Sequence, residues 1–175
     1  MSIETRLARP DPRYATGIFA YSRNPAFFRY LDAQPMSTVG DAEAFIAELR
    51  RENDRGLRDY FLIVDGRTEQ AIGTIGFLFL YPRRHRIADL GYGLSQEYWG
   101  SGAFQSAGRQ IIDYGFDQLD LARIQVTTRA DNVRAIRGVE KLGFRSEAIL
   151  RGFYQTQEGR VDGMLLGLLK QQQID

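Results

Sequence analysis

Cysteine is absent from the 175 residues. That excludes a disulfide framework, a thiolate metal site and a cysteine nucleophile. Histidine occurs once, at His85. A multi-histidine metal site is therefore excluded, and a Ser-His-Asp triad has one available base; no metal is expected. There is almost no surplus of charge of one sign, 23 Lys and Arg against 22 Asp and Glu, for a net charge of +1. Nothing electrostatic argues for nucleic acid, whose binders usually carry a basic excess. No apolar run approaches the ~20 residues of a membrane span. Met1–Pro10 lacks the apolar centre of a signal peptide. The chain is expected to stay in the cytoplasm without a membrane partner.

What is present is ordinary for a globular protein: 43% hydrophobic and 26% charged residues. The length predicts a single domain over residues 1–175, large enough to bury roughly two thirds of its unfolded surface.

The periodicity alternates in type. Ile3, Thr5 and Leu7 suggest a short strand. Asp11-Pro12 opens a helix carried on by Ala15, Ile18 and Phe19 and ended by Asn24-Pro25. Thr38 and Asp41 have capping-box spacing, and Ala42, Phe45, Ile46 and Leu49 follow at helical intervals. Strands are predicted at Tyr60–Val64, before the Asp65-Gly66 turn, at Ala71–Tyr81 and at Ile87–Leu94. A helix runs from Phe104 through Ala107, Ile111 and Gly115. Ile124, Val126 and Thr128 alternate as a strand. Val133, Ile136 and Val139 mark a helix stopped at Gly143. Glu147–Gln155 and Val161–Leu169 form two strands around Glu158-Gly159. The order β-α-α-β-β-β-α-β-α-β-β predicts a mixed α/β sheet flanked by helices rather than a doubly wound one.

The segment Ile87–Gln118 carries the most chemistry. A strand ends near Leu94, a loop follows with Tyr98-Trp99-Gly100-Ser101-Gly102, and a helix begins. Such a turn exposes backbone N–H groups at the positive end of a helix dipole, a geometry suited to phosphate. It matches neither the Rossmann fingerprint nor a P-loop. An ordinary glycine-containing turn has the same composition. Along the strand, Ala88, Leu90, Tyr92 and Leu94 share one face, and Asp89, Gly91 and Gly93 share the other. The second face is a carboxylate beside two missing side chains. Glycine inside a strand often marks close approach of a ligand or another backbone.

These stretches, Ala88-Asp89-Leu90-Gly91-Tyr92-Gly93-Leu94, Tyr98-Trp99-Gly100-Ser101-Gly102, Asp131-Asn132 and Glu140-Lys141-Leu142-Gly143-Phe144, with Glu147, Arg151 and Val161-Asp162, resemble the GNAT superfamily of N-acetyltransferases. The resemblance is to its Rim-type branch, which includes the ribosomal-protein N-acetyltransferases. It implies a sheet whose central strands splay apart to admit acetyl-CoA as cosubstrate. It places the pyrophosphate at Trp99, Gly100, Ser101, Gly102, Ala103 and Phe104, and the pantetheine arm along Gly93, Leu94 and Ser95. Asn132 matches a position beside the cofactor. The implied activity is acetyl transfer to a primary amine, with a protein N-terminal amine favoured and a polyamine, amino sugar or antibiotic as the alternative. A weakly active or non-catalytic acyl-CoA-binding domain is a third reading.

Asp89 is the expected general base, where the family commonly has Glu; the shorter Asp favours a water relay. Glu97 is the second candidate. The family's usual acid is a serine at the position of Ala135; some relatives use a Glu where this chain has Tyr154, which reads as the acid or as a half-buried aromatic on a strand. Phe104 stands where the family has Gly or Ala, and its ring is expected to crowd the phosphate. The basic run Arg83-Arg84-His85-Arg86 reads as a solvated turn, or as a contact for an acidic acceptor, RNA or the cofactor's phosphates. Tyr21, Phe27, Phe28 and Tyr30 read as core or as an acceptor cleft. The oligomeric state, monomer or homodimer, stays open.

Overall fold

The computed structural model describes residues 3–31 and 33–170. Its contacts divide into two compact units, one comprising the chain up to Leu78 with Gly91–Ile111, the other Phe79–Leu90 with the chain from Ile112 onward.

The first unit begins with β1 (Thr5–Ala8) and α1 (Ala15–Ser22), followed by α2 (Val39–Asp54), β2 (Arg58–Asp65) and β3 (Ala71–Leu78). β1, β2 and β3 pair antiparallel in that order. Asp11 and Pro12 form a 3-10 turn, Pro12–Tyr14, in which the Asp11 carboxylate accepts from Arg13 N, and α1 follows it directly. The capping box of α2 forms as its spacing predicts. Thr38 Oγ1 accepts from Asp41 N at 3.2 Å, and Asp41 Oδ2 accepts from Thr38 N at 2.8 Å. Alternation along β2 then sends Tyr60, Leu62 and Val64 to one face. There they pack with Ile18 of α1 and Ala42, Ile46 and Leu49 of α2.

The expected strand Ala71–Tyr81 stops at Leu78. Leu80 beyond it is 69% exposed, so the apolar run outlasts the core it could pack against.

Strand β4 (Ile87–Leu94) and helix α3 (Ala103–Asp117) each begin in one unit and end in the other. The second unit adds β5 (Arg123–Arg129), α4 (Val133–Glu140), β6 (Arg145–Thr156) and β7 (Gly159–Leu169). β4 runs parallel to β5 through Ile87, Ala88 and Asp89, and the ladder goes no further. β7 lies antiparallel between β5 and β6. α4 stops where the sequence predicts: Gly143, at φ 95°, takes a left-handed turn and donates to Glu140 O at 2.9 Å.

β6 departs from the smooth strand expected. Its register against β7 jumps between Ser146 and Ala148 and again between Leu150 and Tyr154. The second irregularity is pinned from β7. Gly152 N donates to Asp162 Oδ1 at 2.7 Å, and Arg160 Nε donates to Gly152 O at 2.7 Å.

The backbones of β3 and β4 come unusually near at Gly73. A Cβ there would stand 2.3 Å from Gly93 O and 3.1 Å from Leu94 Cα. Gly73→Ala is expected to lower unfolding stability by about 1–3 kcal/mol, as overpacking against fixed backbone does. Urea denaturation checks this, and an unchanged midpoint would show that β4 can move aside.

Candidate functional site

In the first unit, Gly93, Leu94, Ser95 and the loop to Phe104 form one continuous structure. Ser95 N donates to Ile72 O at 2.7 Å, which ties the end of β4 to β3. Amides alternate in direction along a strand, so Tyr92 and Leu94 direct theirs to the opposite edge. There the Leu94 carbonyl accepts from Trp99 Nε1 at 3.0 Å. The indole thus folds the loop back onto the strand it leaves.

Two further bonds fix the loop. Tyr98 Oη donates to Asp65 Oδ2 at 2.9 Å, and Ser101 Oγ donates to Tyr98 O at 2.7 Å. Asp65 is buried. Burial pushes its carboxyl up, but bonds from the Arg67 backbone, Tyr98 and Thr68 outweigh that and hold it below the usual carboxylate range. Ser101 Oγ also accepts from Ala103 N at 3.2 Å, capping α3. Gly100 and Gly102 have φ of 78° and 89°, which glycine adopts without strain. The first turn of α3 has N–H groups without intrahelical acceptors. With the positive end of the helix dipole, it can hold an anion.

Phe104 is the second residue of α3. Its ring lies on Tyr92, with centroids 4.5 Å apart and planes at 40°. The ring packs between α3 and β4, and no atom lies within 4 Å of where a Cβ on Gly100 would stand. The Tyr92 hydroxyl is buried without a hydrogen-bond partner, and burial pushes its pKa up.

The glycine face of β4 is filled rather than open. A Cβ on Gly91 would stand 1.9 Å from Tyr60 Oη, and one on Gly93 2.8 Å from Phe27 Cζ. Tyr21, Phe27 and Phe28 stack in sequence, at 4.9 and 5.0 Å between centroids. Tyr21 also packs against the α1–α2 core. The close approach that the glycines signal is thus made by aromatic side chains.

In the second unit, Asp89 is half-buried on β4. Gln125 Nε2 donates to its Oδ1 at 3.1 Å, and Oδ2 is buried without a partner. Burial raises its pKa above the usual carboxylate value, against the lowering influence of the Gln125 bond and the Arg123 charge. Glu97, the other candidate base, is exposed in the turn after β4. Asn132 caps α4, its Oδ1 accepting from Ala135 N at 3.3 Å. Tyr154 follows the second irregularity of β6. Its ring meets Phe153 edge-on with centroids 5.0 Å apart, and burial raises its pKa. The basic run is partly consumed by local structure. Arg86 pairs with Asp120, and Arg83 lies 3.7 Å over the Phe79 ring. Gln125, Tyr81, Arg123 and the Asp65–Tyr98 pair were not singled out from the sequence. Their partners lie far along the chain, and no local pattern marks them. Among the described residues no group of three acidic or histidine side chains could hold a metal, and no helix is long and apolar enough to cross a membrane.

Comparison with known proteins bears on these observations. The family model of the acetyltransferase (GNAT) domain matches residues 5–145. The uncharacterized N-acetyltransferase YoaA of Bacillus subtilis is 35% identical over 148 residues, covering 83% of this chain and 81% of its own. Among solved structures, the microcin C7 self-immunity acetyltransferase MccE, in complex with acetyl-CoA and AMP, superposes with a TM-score of 0.83 at 17% identity. It covers 95% of this chain and 93% of its own. The ribosomal-protein-S5-alanine acetyltransferase of Vibrio fischeri gives 0.78 at 22% identity, covering 94% of this chain and 91% of its own. With the mixed α/β architecture and the strand–loop–helix segment on β4 and α3, these matches make the chain a member of the GNAT acetyltransferase family.

Proposed function

We propose that the protein transfers the acetyl group of acetyl-CoA to the α-amine of a protein N-terminus, with Asp89 as general base. The observation that carries the reading is the state of Asp89: half-buried, with one oxygen held by Gln125 and the other unpartnered. A carboxylate in that state has a raised pKa and a free acceptor for a proton.

The roles follow from the local chemistry. The turn at Gly100–Phe104 and the start of α3 suit the pyrophosphate, with Ser101 spent on the cap and the Phe104 ring turned onto Tyr92. The amide of Leu94 is the donor we assign to the thioester carbonyl. The amine nitrogen attacks that carbon while its proton passes to Asp89 Oδ2, directly or through one water. The carbon–sulfur bond then breaks. The departing thiolate has a reference pKa of about 8.5, and Tyr154 is a weaker acid than the ordinary value of about 10. Tyr154 therefore serves as a hydrogen-bond donor to sulfur, and full proton transfer from it is not needed. Asn132 commits its oxygen, an acceptor, to the cap of α4.

Two considerations favour an α-amine. Its reference pKa of about 7.7–8.0 lies well below the roughly 10.4 of a lysine-type amine, within reach of a carboxylate base. A polyamine would also call for several carboxylates together. Three acids of the second unit are instead committed, Glu147 to Arg123, Asp131 to Arg129 and Asp162 to Gly152 N. The ribosomal-protein acetyltransferase neighbour points the same way.

Asp89→Asn is expected to lower kcat by about 10²–10⁴-fold. In the wild type, kcat/KM should be full above the raised Asp89 pKa and fall as the pH drops through it. A pH–rate profile of both proteins checks this, and an acid limb that survives in the variant would assign it to another group. Thiol release from acetyl-CoA should be faster with short peptides bearing free N-termini than with spermidine or an amino sugar. Turnover on the small amines alone would move the acceptor to that class.

A further inference from the structure

Asp89 is one end of a chain of side chains that crosses four strands. Gln125 on β5 is buried, at 8% exposure. Its amide nitrogen donates to Asp89 Oδ1 at 3.1 Å and to Tyr81 Oη at 2.9 Å. Its amide oxygen accepts from Arg123 Nε at 3.1 Å. Arg123 also donates to Glu147 on β6, Nη1 to Oε1 at 2.9 Å and Nη2 to Oε2 at 2.5 Å.

Each link fixes the next. A glutamine amide has one accepting end and one donating end. Arg123 has donors only, so the amide oxygen must face it and the nitrogen must face Asp89. Arg123 is itself held by a two-pronged bond to a carboxylate, the most directional ion pair available to it.

The sheet is shaped around this pair. Glu147 sits where the register of β6 jumps, between Ser146 and Ala148, and a bulge re-aims the side chain it contains. The strand between the partners, β7, has Gly167 beneath them. A Cβ there would stand 2.3 Å from Glu147 Oε1 and 2.7 Å from both terminal nitrogens of Arg123. A bulge on one strand and a missing side chain on the next together admit one ion pair. Side-chain exposures of 20% and 38% make that pair a weak source of stability.

We propose that Gln125 is a positioning residue for the acetyl transfer, holding Asp89 by Oδ1 so that Oδ2 faces the amine, and that the Arg123–Glu147 pair over Gly167 locks Gln125 in the orientation this requires. The inference rests on Asp89 being the base. Gln125 and the pair exchange no protons. As the carbon–nitrogen bond forms, the amine proton goes to Oδ2 and the Gln125 bond to Oδ1 persists.

Steady-state kinetics of Asp89→Asn, Gln125→Met and Glu147→Gln, with acetyl-CoA affinity measured separately by calorimetry, test it. Gln125→Met should lower kcat about 10- to 100-fold, the scale of a small misplacement of a reacting group, with acetyl-CoA affinity unchanged. Glu147→Gln should lower kcat severalfold, also without a change in acetyl-CoA affinity. If both keep the wild-type kcat while Asp89→Asn is inactive, the positioning inference is wrong and the base assignment stands. If Asp89→Asn turns over at the wild-type rate, both fall. Should Gln125→Met fail to fold, Glu147→Gln decides alone, because its partly exposed carboxylate can be neutralised without disturbing the core.

Discussion

The close approach of β4 to β3 governs the rest of the molecule's chemistry. Gly73 has no side chain, so the Gly93 carbonyl can occupy the space where one would stand. The bond from Ser95 N to Ile72 O then fixes where β4 ends. From that point each contact depends on the one before. Trp99 reaches back to the Leu94 carbonyl, Tyr98 is held by the buried Asp65, and Ser101 caps α3. A loop held at four points keeps its amides aimed without a ligand, which lowers the ordering cost of binding one.

The electrostatics of the second unit contrast one acid with its neighbours. Glu147, Asp131 and Asp120 are paired with arginines, and Asp162 holds a backbone amide. Partners of this kind lower a carboxyl pKa, as they do for Glu147. Asp89 has only a neutral amide at one oxygen, and burial moves its pKa the other way. The difference separates acids held in structural pairs from one that keeps an unpartnered oxygen and a raised pKa.

Local signals in the sequence were sufficient for the elements that depend on local physics. The Thr38–Asp41 spacing predicts the start of α2, Gly143 predicts the end of α4, and the alternation in Ile87–Leu94 separates Asp89 from the buried face. The resemblance located the loop before α3. What was not legible depends on register. Gln125 lies 36 positions from Asp89, and Arg123 lies 24 from Glu147. The parallel pairing of β4 with β5 brings the first two together, and the pairing of β5, β7 and β6, with its bulges, brings the second two together. Gly167 within the leucine-rich run Met164–Leu169 is the one trace of that arrangement in the sequence, a missing side chain where a strand would otherwise carry one. The direction of the Phe104 ring was equally hidden, because a residue at the first turn of a helix can face its ligand or its sheet, and packing on Tyr92 decides it.

The proposed function requires that the end of β4, its loop and the first turn of α3 bind acetyl-CoA with Phe104 in place. Titration calorimetry of acetyl-CoA into the wild-type protein tests this most directly. Saturable binding with one site per chain is expected, with free CoA binding at the same site. No heat of binding at millimolar ligand would contradict it.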